Sequence, residues 1–95
     1  MKMLMLVYSG STPQRISSLL DAHHAGYTEF HNAHGTGSTG KRDGSRAWPG
    51  DSTLWVSVVP EPAVAELVGA LREETSRLAA GARLHVAVLP TDSFF

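Results

Sequence analysis

The sequence predicts an α+β fold of order β-α-β-β-α-β, a four-stranded antiparallel sheet with two helices on one face. Three observations predict it. Short apolar or alternating runs recur at 3–8, 27–34, 53–59 and 83–89, each bounded by Gly, Pro or Ser. Two stretches of helical period, one after Pro13 and one after Pro62, separate the first run from the second and the third from the fourth. The length, 95 residues, suits a single domain spanning 1–95.

The first strand, "MLMLVY" at 3–8, is apolar throughout, as expected of a strand covered on both faces. "SGSTPQ" stops it. Ser11 and Gln14 have capping-box spacing, and Pro13 suits a first helical turn. Ile16, Leu19, Leu20 and His23 then fall on one helical face. Gly26 is expected at the left-handed position that ends the helix, with His23 and His24 complementing the dipole of its last turn.

"YTEFHNAH", 27–34, reads as the second strand and "TLWVSVV", 53–59, as the third. In the third, Leu54, Val56 and Val58 share one face and Trp55, Ser57 and Val59 the other. Pro62 opens the second helix, with Glu61 and Glu66 near its positive end. Its stripe is Val64, Leu67, Val68, Leu71 and Leu78; Glu73 can pair with Arg77. Gly81 is expected to end it. "RLHVAVL", 83–89, alternates into the last strand. Right-handed crossovers then put both helices on one side of the sheet, the ferredoxin-like arrangement. Strand 3–8, Trp55 and Val59 are left needing a cover, which another subunit would supply.

Composition narrows the function classes. Hydrophobic residues make up 42% and charged residues 18%, somewhat short of charge, as suits a molecule that hides surface against copies of itself. Such a chain buries roughly 60–70% of its unfolded surface, so oligomerisation would help. Eight Lys and Arg against nine Asp and Glu give a net charge of −1. No basic field exists to hold nucleic acid or an anionic membrane. The lack of cysteine excludes disulfides and thiolate chemistry and is compatible with a cytoplasmic location. The opening apolar run of about six residues is shorter than the ~7–15 of a signal peptide. Nothing approaches the ~18 apolar residues of a membrane helix.

One connection is out of proportion. Strands two and three should be joined by ~2–5 residues, yet Gly35 to Ser52 intervene. Within this loop, "GTGSTGKR" fits the first positions of a phosphate-binding P-loop. That reading fails, because Arg42 stands where Ser or Thr must hold Mg²⁺, and Gly44, Pro49 and Gly50 leave no room for the helix. A loop of this length in a small domain is expected to have a use. Its glycine-rich half suits mobility. In its second half, Pro49 and Gly50 suit a type II turn, and Trp48 before proline is held extended.

The element order, the long loop and three short runs together resemble the PII-like family of small trimeric signalling proteins. The runs are "MKMLMLVY" at the start, "VVPE" at 58–61 and "HVAVLP" at 85–90. The resemblance covers essentially all 95 residues. It implies a homotrimer that binds a small effector in clefts between subunits, at the base of the long loop, the family's T-loop. It also implies that the loop engages or releases a partner such as a membrane transporter or enzyme. The chain departs from the nitrogen-regulatory members after its second helix, where only "AAGAR" (79–83) precedes the strand, and in closing at "TDSFF" without their ligand-binding arginines. It also lacks the modified tyrosine. Sensing of ATP and 2-oxoglutarate is therefore not carried over. The expected effector is another small anion: a nucleotide, bicarbonate or similar.

The candidate effector site comprises Gly35, Gly37, Gly40, Lys41, Arg42, Arg46, Trp48 and Arg83. Glycines can aim N–H groups at an anion, and Lys41, Arg42 and Arg46 can close on it. Trp48 either stacks on a base or anchors the loop in an apolar slot. Arg83 offers a cation to the cleft or complements a helix end. Five histidines raise a metal alternative, resembling the trimeric copper-tolerance CutA family, with His34, Asp43 and Asp51 as ligands. His31 and His34, an odd number apart, would point to opposite faces of a regular strand. A small ferredoxin-like enzyme is the second alternative, but no nucleophile–base or paired-carboxylate spacing supports catalysis.

Overall fold

A computed structural model of the chain describes residues 1–37, 40–42 and 52–95. The elements are β1 (Lys2–Ser9), α1 (Gln14–Ala22), β2 (Thr28–Ala33), β3 (Gly35–Gly37), β4 (Gly40–Arg42), β5 (Ser52–Val59), α2 (Glu61–Thr75) and β6 (Arg83–Pro90). The main sheet has the order β2-β5-β1-β6, antiparallel throughout, and β3 pairs with β4 separately. This is the expected ferredoxin-like sheet, with β2 and β6 at its edges.

The core lies between the sheet and both helices. Leu4, Leu6 and Tyr8 of β1, Trp55 and Val59 of β5, and Leu84 of β6 meet Ile16 and Leu20 of α1 and Leu67 and Leu71 of α2. The period-2 alternation of β5 is as read from the sequence, but its faces are the reverse of those expected. Trp55 and Val59 lie under the helices, with Trp55 fully buried. Leu54, Val56 and Val58 face away with Met3, Met5 and Val7, opposite them in register. Long-range pairing decides this: Trp55 stands between Leu6 and Glu29, so its indole lands over α1. The surface needing a cover is therefore the Met3–Met5–Val7 and Leu54–Val56–Val58 face, continued by exposed Phe30 and Leu89.

The ends of α1 also differ from expectation. Pro13 occupies the N-cap itself, with no side-chain cap, which leaves Ser11 outside capping-box range of Gln14. The entry is instead fastened by Tyr8, whose hydroxyl accepts the Thr12 N–H at 3.1 Å and bonds Thr12 Oγ1 at 3.0 Å. A Cβ on Gly10 would sit 2.4 Å from that hydroxyl. At the other end, His24 rather than Gly26 takes the left-handed conformation, at φ 56°. His24 N–H donates to Asp21 O and Ala25 N–H to Leu20 O, the two bonds of a Schellman motif. Helix α1 thus stops two residues before the position the glycine suggested, and Gly26 O accepts the Ser57 hydroxyl instead, at 2.7 Å.

Helix α2 ends at Thr75, short of Leu78. Gly81 has positive φ in the turn before β6, not at the helix end. Pro62 lies in the first turn as expected, and Glu73 pairs with Arg77 at 2.7 Å, both exposed. The helices are tied by a fork: Arg15 Nε donates to Glu74 Oε2 at 2.7 Å and Nη2 to Oε1 at 3.3 Å. Glu74, nearly buried, holds the Arg15 guanidinium pKa above its ordinary value.

Candidate functional site

The four strands reach the loop end of the sheet in one row. Ala33 of β2 is opposite Ser52 of β5, Ser52 opposite Ser9 of β1, and Ser9 opposite Arg83 of β6. The hydroxyls of Ser9 and Ser52, both buried, share a 2.7 Å hydrogen bond in the middle of that row. At one edge, His34 and Gly35 leave β2 for the long loop; at the other stands exposed Arg83. Three interstrand steps of about 4.8 Å separate those edges by about 14 Å. The β2 end of the loop and Arg83 therefore stand at opposite edges of the sheet, while the other end of the loop, Ser52, lies two steps from Arg83.

Strand β2 changes course just before the loop. Phe30 is opposite Leu54 but Ala33 opposite Ser52, an extra residue on β2, and Asn32 has φ 59°. Bulges of this kind bend a strand and redirect the chain beyond them. The parity that would separate His31 from His34 does not hold across it.

Under the bulge lies a polar cluster that the sequence reading missed. Glu29 Oε1 accepts the Ser17 hydroxyl at 2.7 Å and the Trp55 indole N–H at 2.8 Å. Its Oε2 lies 2.7 Å from His31 Nε2. The Ser17 hydroxyl is the main cause that holds the Glu29 carboxyl below the usual range. Partial burial opposes it, while the Trp55 N–H and charge on His31 add to it. Three elements, α1, β2 and β5, are thus locked together near the start of β2, the strand that leads into the loop. An acidic residue opposite a tryptophan was the available signal, visible only once the strands are in register.

The "GTGSTGKR" stretch is a hairpin in its described part. Gly35 pairs with Arg42, Thr36 with Lys41 and Gly37 with Gly40. This brings Gly35, Gly37, Gly40, Lys41 and Arg42 into one two-stranded unit beside the sheet end. It also differs from a phosphate-wrapping loop, because ladder pairing engages backbone N–H groups. Arg46 and Trp48, the Pro49–Gly50 turn, and the alternative metal ligands Asp43 and Asp51 lie outside the described residues. Among the described residues no group of three His, Cys, Asp or Glu could hold a metal ion, and no helix is long and apolar enough to cross a membrane. His23 and His24 border a separate concavity with Glu66 at the opposite end of the sheet, with His23 Nδ1 3.7 Å from Glu66 Oε1.

The sequence matches no family model and no curated protein. Solved structures do match. CPII of Thiomonas intermedia K12, a nitrogen regulatory PII-like protein, superposes with a TM-score of 0.67 at 23% identity, over 93% of this chain and 86% of that one. That structure holds ADP, AMP and bicarbonate. This chain has the PII-like fold. A Thermus thermophilus protein, provisionally named as PII-like signalling, agrees at a TM-score of 0.62 and 26% identity, over 93% and 85% of the two chains. A functionally unknown protein from Pediococcus pentosaceus ATCC 25745 superposes at a TM-score of 0.64 and 15% identity, over 99% and 94% of the two chains.

Proposed function

We propose that this chain is a divergent PII-like signalling protein, a single domain without catalysis. It works in the cytoplasm as a homotrimer and takes a small anionic effector between subunits. An adenine nucleotide and bicarbonate are the leading candidates, since CPII is bound to both. The observation that carries the reading is that the β2 end of the loop and Arg83 lie at opposite edges of the same end of the sheet. A second copy can bring its β6 edge to the β2 edge of the first, so that Arg83 of one chain joins Gly35, Lys41 and Arg42 of another. The half-exposed apolar face of Met3, Met5, Leu54, Val56 and Val58 supports the same assembly, because water contact with such a patch is costly.

In this reading Arg46 and Trp48 complete the cleft from the rest of the loop. Effector binding reshapes the loop, which then engages or releases a transporter or enzyme target. Titration calorimetry with ADP, AMP, ATP, bicarbonate, Cu²⁺ and Zn²⁺, combined with light scattering, tests it. The expected result is a trimer that binds a nucleotide or bicarbonate, weakened by Arg83→Ala. Binding of metal alone, abolished by His34→Ala, would overturn it.

A further inference from the structure

Away from the loop, α2 and the edge strand β6 enclose a groove of about 350 Å³. Its floor is Val68, Leu71, Leu84 and Val86, with exposed Val88 at one side. Arg72 and His85 also line it, and Arg72 makes no ion pair among the described residues. The same chain carries a segment of matching chemistry. After β6 comes Thr91–Asp92–Ser93–Phe94–Phe95, in which Phe94 is 64% and Phe95 fully exposed. One acid followed by two aromatics complements an apolar floor with the Arg72 side chain at its edge.

We propose that residues 92–95 of one chain dock in the α2–β6 groove of a second copy, with Phe94 and Phe95 on the floor and Asp92 beside Arg72. The chain cannot fill its own groove in this way. Thr91 N–H donates to Met1 O at 3.3 Å, which holds the chain alongside β1 past the end of β6. From Thr91 back to His85 is six residues of strand, about 20 Å at ~3.3 Å per residue. Asp92, the next residue, cannot return that distance to Arg72. Phe94, three residues on, reaches about 11 Å at most, enough for Val88 at the near side but short of the Arg72 and His85 end. A second copy has no such restriction. The docking requires self-association but not effector binding, so its failure and that of the effector reading are separable.

The absence of native cysteine makes cross-linking clean. Val86→Cys and Phe94→Cys chains, mixed and mildly oxidised, are expected to give a mixed covalent dimer. A mixture using Asp21→Cys, on the exposed side of α1, in place of Phe94→Cys serves as the control. If Val86→Cys does not fold, Arg72→Cys with Asp92→Cys replaces the pair. No dimer above the control overturns the proposal, as does a bridge within single chains of the doubly substituted protein. Phe94→Ala with Phe95→Ala should weaken self-association about tenfold or more. Arg72→Glu should weaken it roughly two- to fivefold, and adding Asp92→Arg should restore it. Absence of that rescue overturns the charge pairing and the docking with it.

Discussion

Glu29 and Trp55 are register partners on β2 and β5, and the indole N–H of Trp55 donates to Glu29 Oε1 at 2.8 Å. This bond joins the largest fully buried side chain to the strand that launches the long loop. Burying an indole without a partner for its N–H is costly. The carboxylate supplies that partner and accepts from Ser17 as well. The packing of the core and the anchoring of β2, which leads into the loop, are therefore one arrangement.

Glu29→Gln should lower stability at neutral pH by about 1–3 kcal/mol, since charge-assisted bonds are lost and the Ser17 and Trp55 donors compete for one neutral oxygen. The folded pKa of Glu29 is depressed. Its stabilisation is thus present above the unfolded value of about 4.3 and is lost as pH falls through the lower folded value. The difference between wild type and variant should shrink below about pH 4. Urea titrations followed by tryptophan fluorescence at pH 7, 5 and 3.5 measure it; a difference independent of pH would contradict the assignment.

Gly10→Ala tests the turn after β1. The added methyl would sit 2.4 Å from Tyr8 Oη and 3.1 Å from Ala82 Cβ, and the hydroxyl cannot withdraw without leaving Thr12. A loss of about 1–3 kcal/mol is expected from such overpacking. Adding Tyr8→Phe should give less than the sum of the single losses. Thermal melts of the four proteins provide the cycle.

His24→Gly should stabilise the fold. A non-glycine residue in the left-handed region carries about 1–2 kcal/mol of strain. Glycine removes this while adding freedom to the unfolded chain, so a net gain of about 0.5–1 kcal/mol is expected. His24→Ala should give no such gain. The check is a rise in the denaturation midpoint with an unchanged slope.

The two faces of β5 show where sequence reasoning works and where it stops. Alternation separates Leu54, Val56 and Val58 from Trp55, Ser57 and Val59 without error, because the period of a strand is a local property. Which set faces the helices is not local. Both sets are apolar enough, and the decision rests on Glu29 and Ser17, far away in sequence. Gly26 misled for a related reason: a helix ends where its last turn closes, and the Leu20 and Asp21 carbonyls close it onto His24 and Ala25. At the loop, excess length was legible and the β3–β4 pairing was not, since glycines carry no face pattern. Arg83 was legible as a cation, but its distance from the loop base emerges only when the strand order is known.

Val56→Lys tests the open sheet face. Val56 is half-buried, opposite Met5 and Thr28 in the middle of that face. A lysine there can extend into water in an isolated chain but would be desolvated against another copy. The variant should keep its far-ultraviolet circular dichroism and dissociate to monomers by light scattering. A folded variant of unchanged mass would mean that the face is not the contact surface.

The composite cleft makes a sharper demand, which mixing can test. Arg83→Ala chains lack the β6 contribution, and Lys41→Ala/Arg42→Ala chains lack that of the loop, so neither assembly alone should bind the anion well. If each cleft takes Arg83 from one subunit and the loop from the next, random co-assembly of equal amounts in a closed ring makes about a quarter of the clefts intact. Calorimetric titration of the co-refolded mixture with the anion that wild type binds should therefore recover about that fraction of wild-type sites at wild-type affinity. A site built within one chain predicts no recovery, because every chain then carries a damaged cleft. Undiminished binding by the Arg83→Ala assembly would remove Arg83 from the site altogether. Both failures are visible in the same titrations, so the shared cleft is tested independently of which anion fills it.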